Sequence, residues 1–283
     1  MLRHNAIPTF DSDNIATPEL RDAFYTQGAL IVKRLLSSHD LDPLAEFLIK
    51  ILRLKYPNVS GAANRSDATS LASDLMLEAM SCSPEAQSVI YDVMCKSSAT
   101  HALSTNPKLD SIITQILSDT VSLHEKKILI ISPPNETWHL ARWHQDYYYN
   151  GGPEASCTVY APLQATGQLN GGLSIALGAH KRGPIEHVAA SATNKWNVIS
   201  DSDVSTFPQI CDIEMSRGDV LFLHSLTPHS ANKNTSNRMR FVANFRYQCL
   251  ADQQFLSNDW QIPELTEARL ALGKKNDQIN ERE

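Results

Sequence analysis

The sequence predicts a mainly β fold with flanking helices: a sandwich or barrel of short strands behind a helical N-terminal half. Three observations point there. After Lys126 the chain breaks into short β-branched and aromatic runs, each bounded by Gly, Pro or Asn. Before Lys126, apolar residues recur at helical spacing. In the second half few strands alternate with long helical patterns, which argues against a parallel, doubly wound sheet.

The elements follow in chain order. Ala29 to Lys33 is an early strand inside the helical half. Asp42-Pro43 has the form of a cap followed by proline at the first helical position, and Leu41, Leu44, Leu48 and Ile51 recur around it at helical spacing. Leu71, Leu75 and Ala79 mark a second helix. Ser83-Pro84 and Asn106-Pro107 repeat the cap-plus-proline signal before two stripes, Val89/Ile90/Val93 and Ile112/Ile113/Ile116/Leu117. All these stripes read as core. The strand runs are Lys126 to Ser132, Thr158 to Tyr160, Leu173 to Leu177, Asp219 to Leu223 and Arg240 to Tyr247. Many short strands of this kind build a sandwich or barrel. Pro263 to Gly273 reads as a short helix and Lys274 to Glu283 as a charged, frayed tail. The organisation expected is one domain over 1–283. It has helical support in 1–120, a β core in 121–250, and a C-terminal helix and tail in 251–283.

Composition narrows the function. The chain has 283 residues, 42% of them apolar, a formal charge of −6 and a pI near 5.9. Its basic residues form no block, which disfavours nucleic acid and anionic membrane as partners. No apolar run approaches the roughly 20 residues that span a bilayer, and the N-terminus has no signal-peptide core. The five cysteines are scattered without metal-finger spacing and suit free thiols in a reducing, cytoplasmic compartment. Nothing in the pattern sets an oligomeric state.

The chemistry lies in His144-Gln145-Asp146, then His229, then Arg240 eleven residues later. Two histidines and one carboxylate on one face of a metal leave three positions open, as non-haem iron(II) oxygenases require. A bidentate 2-oxoacid takes two of these and dioxygen the third. In a strand, residues i and i+2 point the same way, so His144 and Asp146 would face a barrel interior while Gln145 faces out. By the same alternation Arg240, Val242, Asn244 and Arg246 share a face. Arg246 lies about 20 Å beyond Arg240 by strand rise. It therefore reads as a rim residue, with an ion pair favoured over substrate contact.

Several ordered motifs extend this pattern. They are Asn170-Gly171-Gly172-Leu173, Gly178-Ala179-His180-Lys181, Gly218-Asp219 and Asn234-Thr235-Ser236. With the triad and Arg240, the stretch from Lys126 to Tyr247 resembles the phytanoyl-CoA hydroxylase family of iron(II)/2-oxoglutarate dioxygenases, which includes the ectoine hydroxylases. The resemblance implies a double-stranded β-helix, or jelly-roll, core. It implies iron(II) held by His144, Asp146 and His229, with 2-oxoglutarate and dioxygen as cosubstrates. Arg240 would grip the distal carboxylate of 2-oxoglutarate, a role suited to a permanently charged planar fork. For the distal ligand, His224 and His180 are the alternatives to His229.

One position departs from the family pattern: Ala231 stands where relatives often carry a serine that helps hold the cosubstrate. Thr158 or Tyr160 could supply that hydroxyl, and Lys126 or Lys127 could reach the cosubstrate. The expected reaction is oxidation of an unactivated C–H bond in a small-molecule metabolite, most simply hydroxylation, with 2-oxoglutarate converted to succinate and carbon dioxide. Desaturation, epimerisation and cyclisation are alternatives within the class. Asp146 argues against halogenation, which needs the carboxylate removed. From other classes, a non-catalytic jelly-roll binding protein and a zinc enzyme are the competing readings. Tyr147, Tyr148 and Tyr149 are expected to wall the pocket, and Ile185 to Ile210 to cover it.

Overall fold

In a computed structural model of the chain, residues 7–13, 17–61, 67–189 and 196–261 are described. The helix expected at 263–273 and the tail after it lie outside them.

The helical half comprises α1 (Thr17–Gln27), α2 (Ser38–Lys55), α3 (Ala68–Cys82), α4 (Ala86–Cys95), α5 (Ser98–Ser104) and α6 (Pro107–Ile116). Short strands β1 (Thr9–Asp11) and β2 (Ala29–Lys33) flank α1. Asn106 caps α6 with Pro107 at its first turn, as the sequence suggested; the Asn106 side chain accepts from the Lys108 N–H at 2.9 Å. α2 differs. It starts at Ser38, so Pro43 lies inside the helix rather than at its first position. A capping box won: the Asp40 carboxylate accepts from the Ser37 N–H at 2.7 Å. Lys108, at 2.6 Å, and Asn106 fix the same carboxylate from α6.

The β half comprises β3 (Val121–Leu123), β4 (Ile128–Ser132), β5 (Cys157–Pro162), β6 (Leu173–Ala176), β7 (His187–Val188), β8 (Val198–Ile199), β9 (Ile210–Asp212), β10 (Val220–His224), β11 (His229–Ala231) and β12 (Arg240–Cys249). The large sheet runs β1-β2-β10-β5-β12-β3, with β4 also pairing β12. A smaller sheet runs β11-β6-β9, and β7-β8 form a hairpin. The two sheets face each other as a jelly-roll. The loop into β10 needs Gly218, whose φ is +96°; a Cβ there would stand 2.4 Å from the Leu36 carbonyl oxygen.

Strict alternation sorts the large sheet into two faces. Leu30, Val32, Val159, Ala161, Val220, Phe222, Phe241, Ala243 and Phe245 pack outward against the helices. Ala29, Ile31, Tyr160, Leu221, Leu223 and Val242 point inward and meet Leu173 and Ile175 of the small sheet. The helical layer thus seals one face of the sheet, and the space between the sheets is left to carry polar groups. No helix among the described residues is long and apolar enough to cross a membrane.

Candidate metal centre

His144 and His229 form an isolated antiparallel bridge, each donating its N–H to the other's carbonyl oxygen at 3.0 Å. The bridge adds a one-residue edge to the small sheet and brings the two rings to 4.2 Å between centroids. Asp146 arrives differently from expectation. It does not continue a strand but opens a short helix, α7 (Asp146–Asn150), with Gln145 as its N-cap residue. One donor atom each from His144, Asp146 and His229 lies within 4.8 Å of the others, and all three residues are buried.

The hydrogen bonds around the rings settle their tautomers. Nδ1 of His144 faces the Arg142 carbonyl oxygen at 2.7 Å, and Nδ1 of His229 faces that of Thr227 at 3.0 Å. A carbonyl only accepts, so both Nδ1 atoms carry a proton, which leaves Nε2 as the atom of each ring that can turn to a metal. Burial, then the neighbouring His229, push His144 down to about 3, so its ring is neutral at working pH. Burial alone would raise the Asp146 carboxyl. Arg246, then His229, His144 and the Thr158 hydroxyl outweigh it and hold Asp146 well below the usual carboxylate range. The donor set is two imidazoles and one carboxylate, a set that fits iron(II).

Arg240 points into the same interior and is 3% exposed. Its Nη1 donates to the Tyr160 hydroxyl at 2.6 Å and its Nη2 to the Ser132 hydroxyl at 2.8 Å. Its Nε is buried without a partner. A buried guanidinium flanked by two hydroxyls and left with a spare N–H fits a carboxylate ligand. Burial raises the Tyr160 phenol, so it stays protonated beside the cation.

The remaining expected residues fall in varied places. The Thr158 hydroxyl donates to Asp146 Oδ2 at 2.6 Å and stands beside the metal carboxylate. Lys127 turns to the carbonyl oxygens of His124 and Glu125. Lys126 instead reaches the Tyr149 carbonyl oxygen at 2.8 Å. His224 packs among Phe24, Tyr25 and His180 on the helix side of the large sheet, and His180 bonds the Tyr25 carbonyl oxygen. Gln145 is a correction. Expected to face solvent, it is 1% exposed. Its Nε2 donates to the carbonyl oxygens of Gly183 and Leu226, and its Oε1 accepts from the Ile185 N–H. The cause is the helix starting at Asp146, which breaks the strand phase.

The expected cover is in part an ordered hairpin, β7-β8, whose residues 190–195 lie outside the described ones. His187 stacks on Tyr148 at 4.0 Å and its Nε2 accepts from the Gln145 N–H at 3.0 Å. The Tyr149 hydroxyl donates to the Asn197 carbonyl oxygen at 2.5 Å, and the Tyr149 ring lies edge-on to His144 and Trp196. Sequence reasoning missed Ser132 and His187. Ser132 had a signal, since Ile128, Ile130 and Ser132 share the inward phase of β4; His187 had none.

A jelly-roll that encloses two imidazoles, one carboxylate and an inward arginine has the architecture of the non-haem iron(II)/2-oxoglutarate oxygenases. Comparison with known proteins narrows the class. The profile of the phytanoyl-CoA dioxygenase (PhyH) family matches residues 24–242, and the chain belongs to that family. A 1-deoxypentalenic acid 11-beta-hydroxylase of Streptomyces exfoliatus is 33% identical over 97 residues, which is 33% of this chain and 34% of that protein. The match thus spans about a third of the length of that curated relative. Two solved structures share the fold. Apo EctD from S. alaskensis has a TM-score of 0.58 at 14% identity, covering 89% of this chain and 81% of its own. The epimerase SnoN, in complex with Fe3+, alpha ketoglutarate and nogalamycin RO, has a TM-score of 0.56 at 16% identity, covering 82% and 83%.

Proposed function

We propose that the chain is an iron(II)- and 2-oxoglutarate-dependent oxygenase that hydroxylates an unactivated C–H bond of a small-molecule metabolite. 2-Oxoglutarate and dioxygen become succinate and carbon dioxide. The observation that carries this reading is the convergence of His144, Asp146 and His229 within 4.8 Å, all buried. His144 and His229 present Nε2 and Asp146 a carboxylate oxygen to the metal. Arg240 binds the far carboxylate of 2-oxoglutarate through its spare Nε–H and its fork, while Tyr160 and Ser132 hold that fork in place. When bound, iron(II) supplies the activation of dioxygen that no side chain can provide.

The rest of the site orients and encloses. Tyr148, Tyr149, His187 and Trp196 form an aromatic wall beside His144. The wall excludes water from the reacting carbon and favours a mid-sized, largely apolar metabolite. The hydroxylase relative and the epimerase neighbour make secondary-metabolite biosynthesis the fitting context. Desaturation, epimerisation and cyclisation would use the same residues and differ in what becomes of the substrate after hydrogen removal. Five free cysteines support a reducing compartment such as the cytoplasm. We read residues 1–283 as one catalytic domain.

The test is aerobic incubation of the iron-loaded enzyme with 2-oxoglutarate and a metabolite panel, reading succinate release. His144→Ala and Asp146→Ala are expected to abolish it while leaving the fold intact. No succinate from the wild type across the panel would favour a non-catalytic jelly-roll. Zinc in anaerobically purified protein would favour a hydrolytic metal site.

A further inference from the structure

Arg246 is the second arginine on the inward face of β12. Its Nη2 lies 3.2 Å from Asp146 Oδ1, with both side chains largely buried. The other oxygen, Oδ2, accepts from the Thr158 hydroxyl at 2.6 Å. Thr158 and Arg246 are direct cross-strand partners in β5 and β12. The register of two central strands therefore delivers one donor to each oxygen of a single carboxylate. Asn150 Nδ2 adds a long contact to Oδ1 at 3.5 Å and a firm one to the Asp146 carbonyl oxygen at 2.9 Å. Arg246 Nη1 is 3.5 Å from the Lys126 carbonyl oxygen, and its Nε is buried without a partner.

We propose that Arg246 and Thr158 form a two-point clamp that fixes the Asp146 carboxylate as a metal donor, and that this clamp sets the affinity of the site for its metal. The inference rests on the oxygenase reading above and goes beyond it by assigning two positioning residues. Asp146 sits on a five-residue helix and not on a sheet strand, so its backbone alone holds the carboxylate less firmly than a ladder would. Each carboxylate oxygen has two acceptor directions, so one donor per oxygen leaves a lone pair on each for a metal.

A second role for Arg246 predicts the opposite sign. A cation beside a metal site repels a dication. If Arg246 only neutralises Asp146 until a metal arrives, its removal tightens metal binding. If it positions Asp146, its removal weakens binding, typically by about 10- to 100-fold for partners of this kind.

The experiment is an anaerobic titration of the full-length apo-protein with iron(II) in the presence of 2-oxoglutarate. It reads the visible absorption of the iron–2-oxoglutarate chelate and, separately, the heat of binding. Arg246→Met and Thr158→Val are each expected to weaken metal binding about 10- to 100-fold. Arg246→Lys and Thr158→Ser should restore most of it. Unchanged or tighter binding in folded Arg246→Met overturns the clamp. If Arg246→Met does not fold, unchanged binding in the near-isosteric Thr158→Val overturns it equally. Wild-type protein that gives neither the chelate absorption nor heat of binding with iron(II) and 2-oxoglutarate would instead sink the oxygenase reading itself.

Discussion

Replacing Arg240 with methionine should separate stability from cosubstrate binding. Its guanidinium is buried and held by two neutral hydroxyls, Tyr160 and Ser132, with no carboxylate bonded to it among the described residues and its Nε–H unsatisfied. A buried cation without a counter-charge is a cost to the folded apo-protein. Methionine fills similar volume without that charge, so the apo-protein should melt no lower than the wild type. Cosubstrate binding should fall sharply. Truncating one member of a desolvated, hydrogen-bonded charge pair costs about 2–5 kcal/mol. At 1.4 kcal/mol per decade this is about 30- to 4,000-fold in 2-oxoglutarate affinity. The assay is succinate formation against 2-oxoglutarate concentration, with melting curves at matched concentrations. Adding 2-oxoglutarate to iron-loaded protein should raise the wild-type melting temperature and leave the variant's almost unchanged. A variant that melts far below the wild type, or keeps the wild-type half-saturation, would refute the argument.

Other outcomes follow from single contacts. Gln145→Ala removes three buried hydrogen bonds that tie the metal loop to Gly183, Ile185 and Leu226. It should cost about 2–4 kcal/mol, since each orphaned buried group costs about 1–3 kcal/mol before relaxation; urea unfolding measures it. Tyr149→Phe keeps the ring beside His144 but loses the bond to the Asn197 carbonyl oxygen. Amide exchange in β7-β8 should quicken with little change in global stability, and unchanged exchange would show the bond is idle. His224 is pushed down to about 3 by burial and by His180, whereas an unfolded histidine titrates near 6.5. Its folded form stays neutral, so its contribution is complete above about pH 6.5 and is lost as pH falls toward about 3, at about 1.4 kcal/mol per pH unit. His224→Asn should flatten that slope between pH 6 and pH 4 in urea titrations.

The features legible in the sequence were those set by local period. Alternation put Arg240, Val242, Asn244 and Arg246 on one face, and the large sheet obeys it along β12, with Val242 turned inward and Phe241, Ala243, Phe245 and Tyr247 outward. The helical stripes marked the residues that pack beneath that sheet, among them Leu44, Leu48, Ile112 and Ile113. Two kinds of information were not local. One was register. Nothing near Ser132 says that it faces Arg240, because that pairing is fixed by how β4 docks on β12. The other was a change of element at one residue. Extending the strand through Asp146 turned Gln145 outward. The helix beginning at Asp146 buries Gln145 instead and stacks Tyr148 on His187. Pro43 failed for a related reason: a capping box at Ser37, five residues before Asp42 and tied to α6 through Asp40, overrode the proline signal.

β12 shows why the site stands where it does. Its outward side chains, Phe241, Ala243, Phe245 and Tyr247, are buried against the helices. Its inward side carries Arg240, Asn244 and Arg246. Burying two guanidiniums on one strand is unfavourable unless partners meet them. Arg246 meets Asp146, and Arg240 is left with only hydroxyls. The strand tolerates this because it pairs with both β5 and β4 and because its apolar face is clamped by the helical layer. Edge strands lack both constraints and would let a buried charge swing to water. A central strand cannot, so the unpaired cation stays aimed inward and ready for an anion. The helical half therefore contributes to function without touching the metal site: it supplies the burial that keeps Arg240 in place.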